Sequence, residues 1–137
     1  MRILIDTNVL LDFLTKRPDF FKDACDVIAF CVNDKIEGFI AAHSVVNAFY
    51  LMRKDYLHSE RRKIILNVLK CLSIVDIDEE KIISSLENEE FTDFEDCLQD
   101  ECAEEIRADY IVTRDMNDFT KSKIPAITPS DFVKLMK

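Results

Sequence analysis

Residues 1–14 read MRILIDTNVLLDFL, and within them the residue pattern changes from that of a strand to that of a helix. Residues 3–5 (ILI) form a short apolar run typical of a buried strand, and the run stops at an aspartate, Asp6. After Asp6, apolar residues recur at the three- and four-residue spacing of a helix as far as Leu14. Because a strand followed at once by a helix begins a βα unit, the opening predicts an α/β fold with Asp6 at the carboxyl end of the first strand.

The rest of the chain repeats this alternation of strands and helices. Further strands are predicted at 39–42, 73–77, 110–113 and 124–127. Further helices are predicted at 20–33, 44–53, 59–69, 81–88 and 131–136, with one more entered through Thr92 or Asp93, and Ser44 and Ser130 are expected as N-caps. The pattern indicates a three-layer α/β/α fold with a central, mainly parallel sheet, in a single domain that spans residues 1–137.

Composition excludes several classes of protein. With 48% hydrophobic and 33% charged residues, the chain of 137 residues is typical of a globular domain and not of a disordered one. The five cysteines are odd in number and form no C-x-x-C pair, which argues against a disulfide framework and a zinc finger and favours a reducing cytosol. No run of about 18 apolar residues occurs, so we expect a cytoplasmic protein with no membrane segment.

The net charge of -9 argues against a polyanionic partner unless local basic groups or a bound cation compensate. Arg53, Lys54 and Arg114 are candidates for guiding a nucleic-acid backbone. The runs at 61–63 and 121–123 are also basic, but such runs are more often simply solvated surface.

Four aspartates are candidates for a shared site. Ligands of open parallel sheets bind outside the carboxyl ends of the strands, where the strand order reverses. Asp6 follows the first strand, Asp115 follows the strand ending at Thr113, and Asp96 lies in the first turn of a helix. Asp118, three residues after Asp115, could face the same space. Each acid also has an ordinary explanation as a turn, cap or loop residue, so the prediction depends on their joint placement.

Several carboxylates in one small space repel each other, and a divalent cation is the natural compensation. Mg²⁺ or Mn²⁺ prefers oxygen ligands and requires neither His nor Cys. Such an ion next to a phosphodiester can activate water and neutralise charge on the scissile phosphate. The residues therefore favour metal-dependent phosphodiester hydrolysis.

The stretches ILIDTNVLLDFL, DFEDCLQ and IVTRDMNDF, followed by a proline and TPSDF, together resemble the PIN-domain family of nucleases, many of whose bacterial members are toxins of toxin–antitoxin pairs. The resemblance implies that Asp6, Asp96 and Asp115 are catalytic and bind Mg²⁺ or Mn²⁺, with Asp118 as an additional acid. It further implies cleavage of single-stranded RNA, an antitoxin protein as partner, and a homodimer.

The chain departs from this family at Asn47, where a glutamate is common. An amide could still orient a water molecule, but it brings no negative charge to a cation. The alternative is therefore a weakened PIN-like module that binds nucleic acid or a protein without cleaving. A receiver-like phosphate acceptor at Asp6 is disfavoured, because neither a second acid beside Asp6 nor a lysine after a late strand is present. Asp12 is expected at the surface or as a partner of the helix dipole.

Overall fold

The central sheet of the computed structural model, which describes residues 1–137, has five strands, and all neighbouring strands are parallel. The strands are β1 (Arg2–Ile5), β2 (Glu37–Ala41), β3 (Leu72–Val75), β4 (Tyr110–Val112) and β5 (Ala126–Ile127). Their order across the sheet is β3-β2-β1-β4-β5. The predicted α/β class is confirmed, and the sheet that we expected to be mainly parallel is entirely parallel.

Helices cover both faces of the sheet. They are α1 (Thr7–Leu14), α2 (Phe21–Val32), α3 (Ala42–Leu51), α4 (His58–Val68), α5 (Glu79–Glu87), α6 (Phe94–Glu105) and α7 (Pro129–Met136), with two short 3-10 helices at Met52–Lys54 and Met116–Phe119. Successive residues of a strand point to opposite faces. Accordingly Ile3 and Ile5 pack in the core shared with α1, α2, α3, α4 and α7, while Leu4 packs in a smaller core with α6. None of the helices has the length and apolar character needed to cross a membrane.

The order of the strands creates a crevice next to β1. From β1 the chain moves outward through β2 to β3, and it then returns to the other side of β1 to form β4 and β5. The connections that leave β1 and β4 therefore diverge at the carboxyl edge of the sheet. This is the position at which ligands bind in open parallel sheets.

Two predicted N-caps are wrong, each for a local reason, and α5 begins at Glu79, two residues before its predicted start. Helix α3 begins at Ala42, so Ser44 lies inside the helix and is fully buried instead of acting as its N-cap. The last helix is capped by Thr128, whose hydroxyl accepts a hydrogen bond from the backbone N–H of Asp131, 3.2 Å away. Pro129 then occupies the first helical turn, where the missing N–H of proline costs no hydrogen bond.

Candidate functional site

A cavity of about 230 Å³ lies at the carboxyl edge of β1 and β4. It is lined by Asp6, Thr7, Asn8, Leu11, Arg17, His43, Glu95, Asp96, Gln99, Asp115 and Asp118. All four aspartates that the sequence singled out line this one cavity. Asn47 is not among its lining residues.

Asp6 is the most deeply placed acid of the cavity. It follows β1 directly and is the N-cap of α1, with only 7% of its surface exposed. Its Oδ1 accepts from the backbone N–H of Thr7 at 2.7 Å and from Nε2 of Gln99 at 3.3 Å, while its Oδ2 accepts from the Thr113 hydroxyl at 2.8 Å. Burial raises the pKa of Asp6 to about 6, although these hydrogen bonds oppose the rise, and the charges of Asp115 and Asp118 add to it.

Asp96 approaches from a different element. It lies in the first turn of α6, and its backbone N–H donates to the carboxylate of the N-cap residue Asp93 at 3.1 Å. The cap fixes the helix start and so delivers the Asp96 side chain to the cavity. Burial raises the pKa of Asp96 to about 7, with further contributions from the charges of Asp93, Asp118 and Asp6.

Asp115 and Asp118 come from the loop after β4. Asp115 accepts a hydrogen bond from Nδ2 of Asn8 at 3.1 Å, and its backbone N–H donates to the Thr113 hydroxyl at 3.0 Å. The fully buried Thr113 thereby contacts both Asp6 and Asp115. The pKa of Asp118 is raised by partial burial and by the charges of Asp115 and Asp93.

Gln99 was missed by the sequence analysis, although it lies three residues after Asp96 and hence on the same side of α6. It is 2% exposed, and besides Asp6 its Nε2 contacts the hydroxyls of Thr7 at 3.2 Å and Ser44 at 2.7 Å. These two hydroxyls are themselves 2.6 Å apart. Ser44, predicted as a helix cap, instead belongs to a buried polar cluster that joins α1, α3 and α6 behind Asp6.

Glu95, in the first turn of α6, is a fifth acid of the cavity. Its Oε1 accepts from Nδ2 of Asn47 at 3.4 Å, so Asn47 contacts the edge of the site through Glu95. Burial lowers the pKa of the neighbouring His43, although the charge and the backbone carbonyl of Glu95 oppose that change. His43 is therefore neutral at neutral pH and adds no charge to the cavity.

Asp12 was predicted at the surface, but in the structure it is buried. It is 1% exposed and forms an ion pair with Arg114, whose Nε lies 2.6 Å from Oδ2 and whose Nη2 lies 3.3 Å from Oδ1. The Arg114 guanidinium also stacks 4.0 Å from the centre of the Phe20 ring. Burial of an ionised carboxylate destabilises a protein unless the charge is paired, and Arg114 provides the opposite charge for Asp12.

The donor set of the cavity fits a hard divalent cation. Its carboxylates are oxygen ligands. Burial and, to a smaller extent, the negative charge of neighbouring acids raise the pKa values of Asp6, Asp96 and Asp118, and a cation would neutralise that charge. No three His, Cys, Asp or Glu side chains are grouped closely enough to enclose an ion by themselves. An ion in this cavity would therefore bind one or two of the carboxylates directly and the others through its water ligands, as Mg²⁺ commonly does.

Comparison with known proteins agrees with this geometry. Residues 2–117 match a family model described as PIN domain. A chain in the structure of VapBC2 from Rickettsia felis, bound to a DNA fragment from its promoter, has a TM-score of 0.67 and 17% identity over 93% of this chain and 98% of the other. A chain of a toxin–antitoxin complex from Klebsiella pneumoniae has a TM-score of 0.67 and 22% identity, over 93% of this chain and 97% of the other. A chain of FitAB bound to the IR36 DNA fragment has a TM-score of 0.64 and 17% identity, over 93% of this chain and 94% of the other. No curated protein matches the sequence.

Proposed function

Because this chain belongs to the PIN-domain family, whose members are generally metal-dependent nucleases, we propose that it is an endoribonuclease that hydrolyses phosphodiester bonds of single-stranded RNA with Mg²⁺ or Mn²⁺. The observation that carries the proposal is the convergence of Asp6, Asp96, Asp115 and Asp118 on one cavity at the edge where β1 and β4 end. These acids come from three separate parts of the chain. Helix capping or turn formation could explain each acid alone, but not why all four line the same cavity.

In this proposal each residue has a defined task. Asp6, Asp96 and Asp115 would hold the cation directly or through its water ligands, and the exposed Asp118 would add negative charge to the cavity. The bound ion supplies charge neutralisation at the phosphate and activation of water. Both oxygens of Asp6 already accept hydrogen bonds from Thr7, Gln99 and Thr113, so its carboxylate is held in one orientation before any ligand enters. Such prior positioning lowers the cost of assembling the reactive geometry.

Cleavage of an end-labelled single-stranded RNA tests the proposal. We expect cutting by the wild-type protein with Mn²⁺ or Mg²⁺, none with a chelator, and little cutting of single-stranded DNA of the same sequence. Asp96→Asn is expected to lose the activity, whereas Glu90→Gln, a change of an exposed acid that does not line the cavity, should retain it. Equal cutting by all three identically purified proteins would indicate a contaminating nuclease and contradict the proposal.

Asn47 motivates the second candidate, a module that binds nucleic acid or a protein without cleaving it. Its neutral amide brings no charge to the site and contacts only Glu95 there. In our proposal Asn47 orients water at the edge of the cavity, and cleavage survives because five carboxylates remain. RNA binding that is independent of metal, without any cleavage, would favour the second candidate.

Asn47→Glu measures how closely this position is coupled to the cation. A new negative charge next to Glu95, at the edge of the cavity, would attract a divalent ion by about 1 kcal/mol in a solvated environment, so we expect Mn²⁺ to bind about fivefold more tightly. Calorimetric titration with Mn²⁺ would detect this change, with Asn67→Glu on exposed α4 surface as the matched control. Affinity equal to that of the control would exclude Asn47 from the surroundings of the ion.

A toxin role, with an antitoxin protein as partner and a homodimer as the active form, is part of the same proposal. One of the similar chains occurs in a toxin–antitoxin complex, and the other two, in VapBC2 and FitAB, occur in complexes that are bound to DNA fragments. An apolar cavity of about 780 Å³ between α1, α2 and α4 offers room for an apolar segment of a partner. The five cysteines are all free, which fits the cytoplasm as the place of action.

A further inference from the structure

We infer that Arg17 binds a phosphate group of the RNA backbone at the rim of the acidic cavity. The inference depends on the proposed function and extends it by naming the residue that meets the substrate. Arg17 is the one Lys or Arg among the residues that line the cavity, and five of the others are acids. An RNA strand that approaches these acids therefore meets a single fixed positive charge next to them.

The backbone holds Arg17 in place. Lys16 has a φ of 54°, in the left-handed region, and this turns the chain back at the end of α1. The N–H of Arg17 then donates to the carbonyl of Asp12 at 3.2 Å, and the carbonyl of Arg17 accepts from Phe20 and Phe21 at 3.1 and 2.8 Å. The position of the side chain at the cavity thus follows from an ordered turn.

The guanidinium of Arg17 is available for a ligand. It lies 3.5 Å from Oδ1 of Asp12, longer than a charge-assisted hydrogen bond, and its side chain is 47% exposed. Asp12 is already paired through both oxygens with Arg114. The buried Asp12 charge therefore holds Arg17 near the cavity without occupying its donors, and a planar guanidinium is well suited to phosphate oxygens.

Equilibrium binding of a fluorescein-labelled single-stranded RNA of about twelve nucleotides tests this contact. The measurement uses the cleavage-deficient Asp96→Asn protein with Mg²⁺, with and without Arg17→Gln, at several KCl concentrations. Loss of one charge-assisted contact should weaken binding about tenfold or more. The slope of log K against log salt should become less steep by about 0.7, the value for one phosphate contact of a single strand.

Arg107→Gln is the matched control, because Arg107 is exposed between α6 and β4, at the opposite edge of the sheet. It should change neither the affinity nor the slope. Arg17→Lys, which keeps the charge, should restore the slope but only part of the affinity. Thermal unfolding of each variant identifies loss of structure, which would not by itself change the salt slope of the folded protein.

An Arg17→Gln protein with the affinity and slope of the Arg107→Gln control would overturn the inference and leave the proposed function untouched. Failure of the wild-type and Asp96→Asn proteins alike to bind RNA, when both are folded and Mg²⁺ is present, would contradict the proposed function and with it the phosphate contact of Arg17.

Discussion

Asp6→Asn is expected to slow RNA cleavage severely and, without metal, to raise the unfolding temperature of the protein. A cation at a scissile phosphate lowers the activation free energy of hydrolysis by several kcal/mol. Loss of its most buried ligand should therefore reduce the rate by about 100- to 1,000-fold. The gain in stability follows because the buried Asp6 carboxylate is ionised at pH 8 against a pKa of about 6. An amide at this position can still accept from Thr7 and Gln99 through its oxygen and donate to the Thr113 hydroxyl through its nitrogen.

The measurement combines single-turnover cleavage with thermal unfolding in a chelator at about pH 8. Asp12→Asn is the matched control, since Asp12 is also a buried aspartate near the start of the chain. It should have the opposite effect on stability, because it leaves Arg114 without its carboxylate partner. Normal cleavage by Asp6→Asn would remove Asp6 from the active site, and a lower unfolding temperature would show that its ionised form stabilises the fold.

Without metal, the protein is expected to lose stability as the pH rises from about 5 to about 8. The pKa values of Asp6 and Asp96 are raised in the folded state, to about 6 and about 7, from an ordinary 3.8. The stability associated with the protonated acids is complete below the unfolded pKa and is lost as the pH rises through the folded values. For the buried Asp6 the loss is up to about 3 kcal/mol. The half-buried Asp96 adds a smaller amount, since solvent screens its charge.

Divalent metal should reverse this loss, because a cation stabilises the ionised acids. We expect Mg²⁺ at a hundredfold excess over its dissociation constant to add about 2.7 kcal/mol at about pH 8. At about pH 5 the effect should be much smaller, because protons compete for the same oxygens. Urea unfolding with Mg²⁺ and with a chelator, at both pH values, measures this stabilisation. The stability of Asp6→Asn should depend only weakly on Mg²⁺ and on pH. A metal effect of equal size at the two pH values would place the bound ion away from these acids.

Local sequence was sufficient to predict the main elements and the four aspartates. The apolar run of residues 3–5 ends at a charge because the strand leaves the core there, and apolar spacing then predicts α1. Asp115 is predictable in the same way from the end of β4. Since all strands are parallel, every acid that follows a strand comes to the same edge of the sheet, and this made the joint placement of Asp6 and Asp115 predictable before the structure was known.

Contacts between distant segments could not be predicted in this way. Ser44 has the local properties of a helix cap, yet α3 starts two residues earlier and its hydroxyl bonds to Thr7 and Gln99, which lie 37 and 55 residues away in sequence. Asp12 and Arg114 are separated by 102 residues, and the sequence pattern does not predict the ion pair that they form.

Local sequence patterns therefore predict that Asp6 and Asp115 lie at one edge of the sheet, because hydrophobic periodicity and the alternation of strands with helices are encoded locally. They do not predict that Glu95 also lines the cavity, or which residues surround these acids, since both depend on tertiary packing. The burial of Asp6, the polar cluster behind it and the position of the Arg17 guanidinium at the rim depend on which helices pack together. Packing is set by side chains far apart in the chain, and a periodic pattern carries no information about such partners.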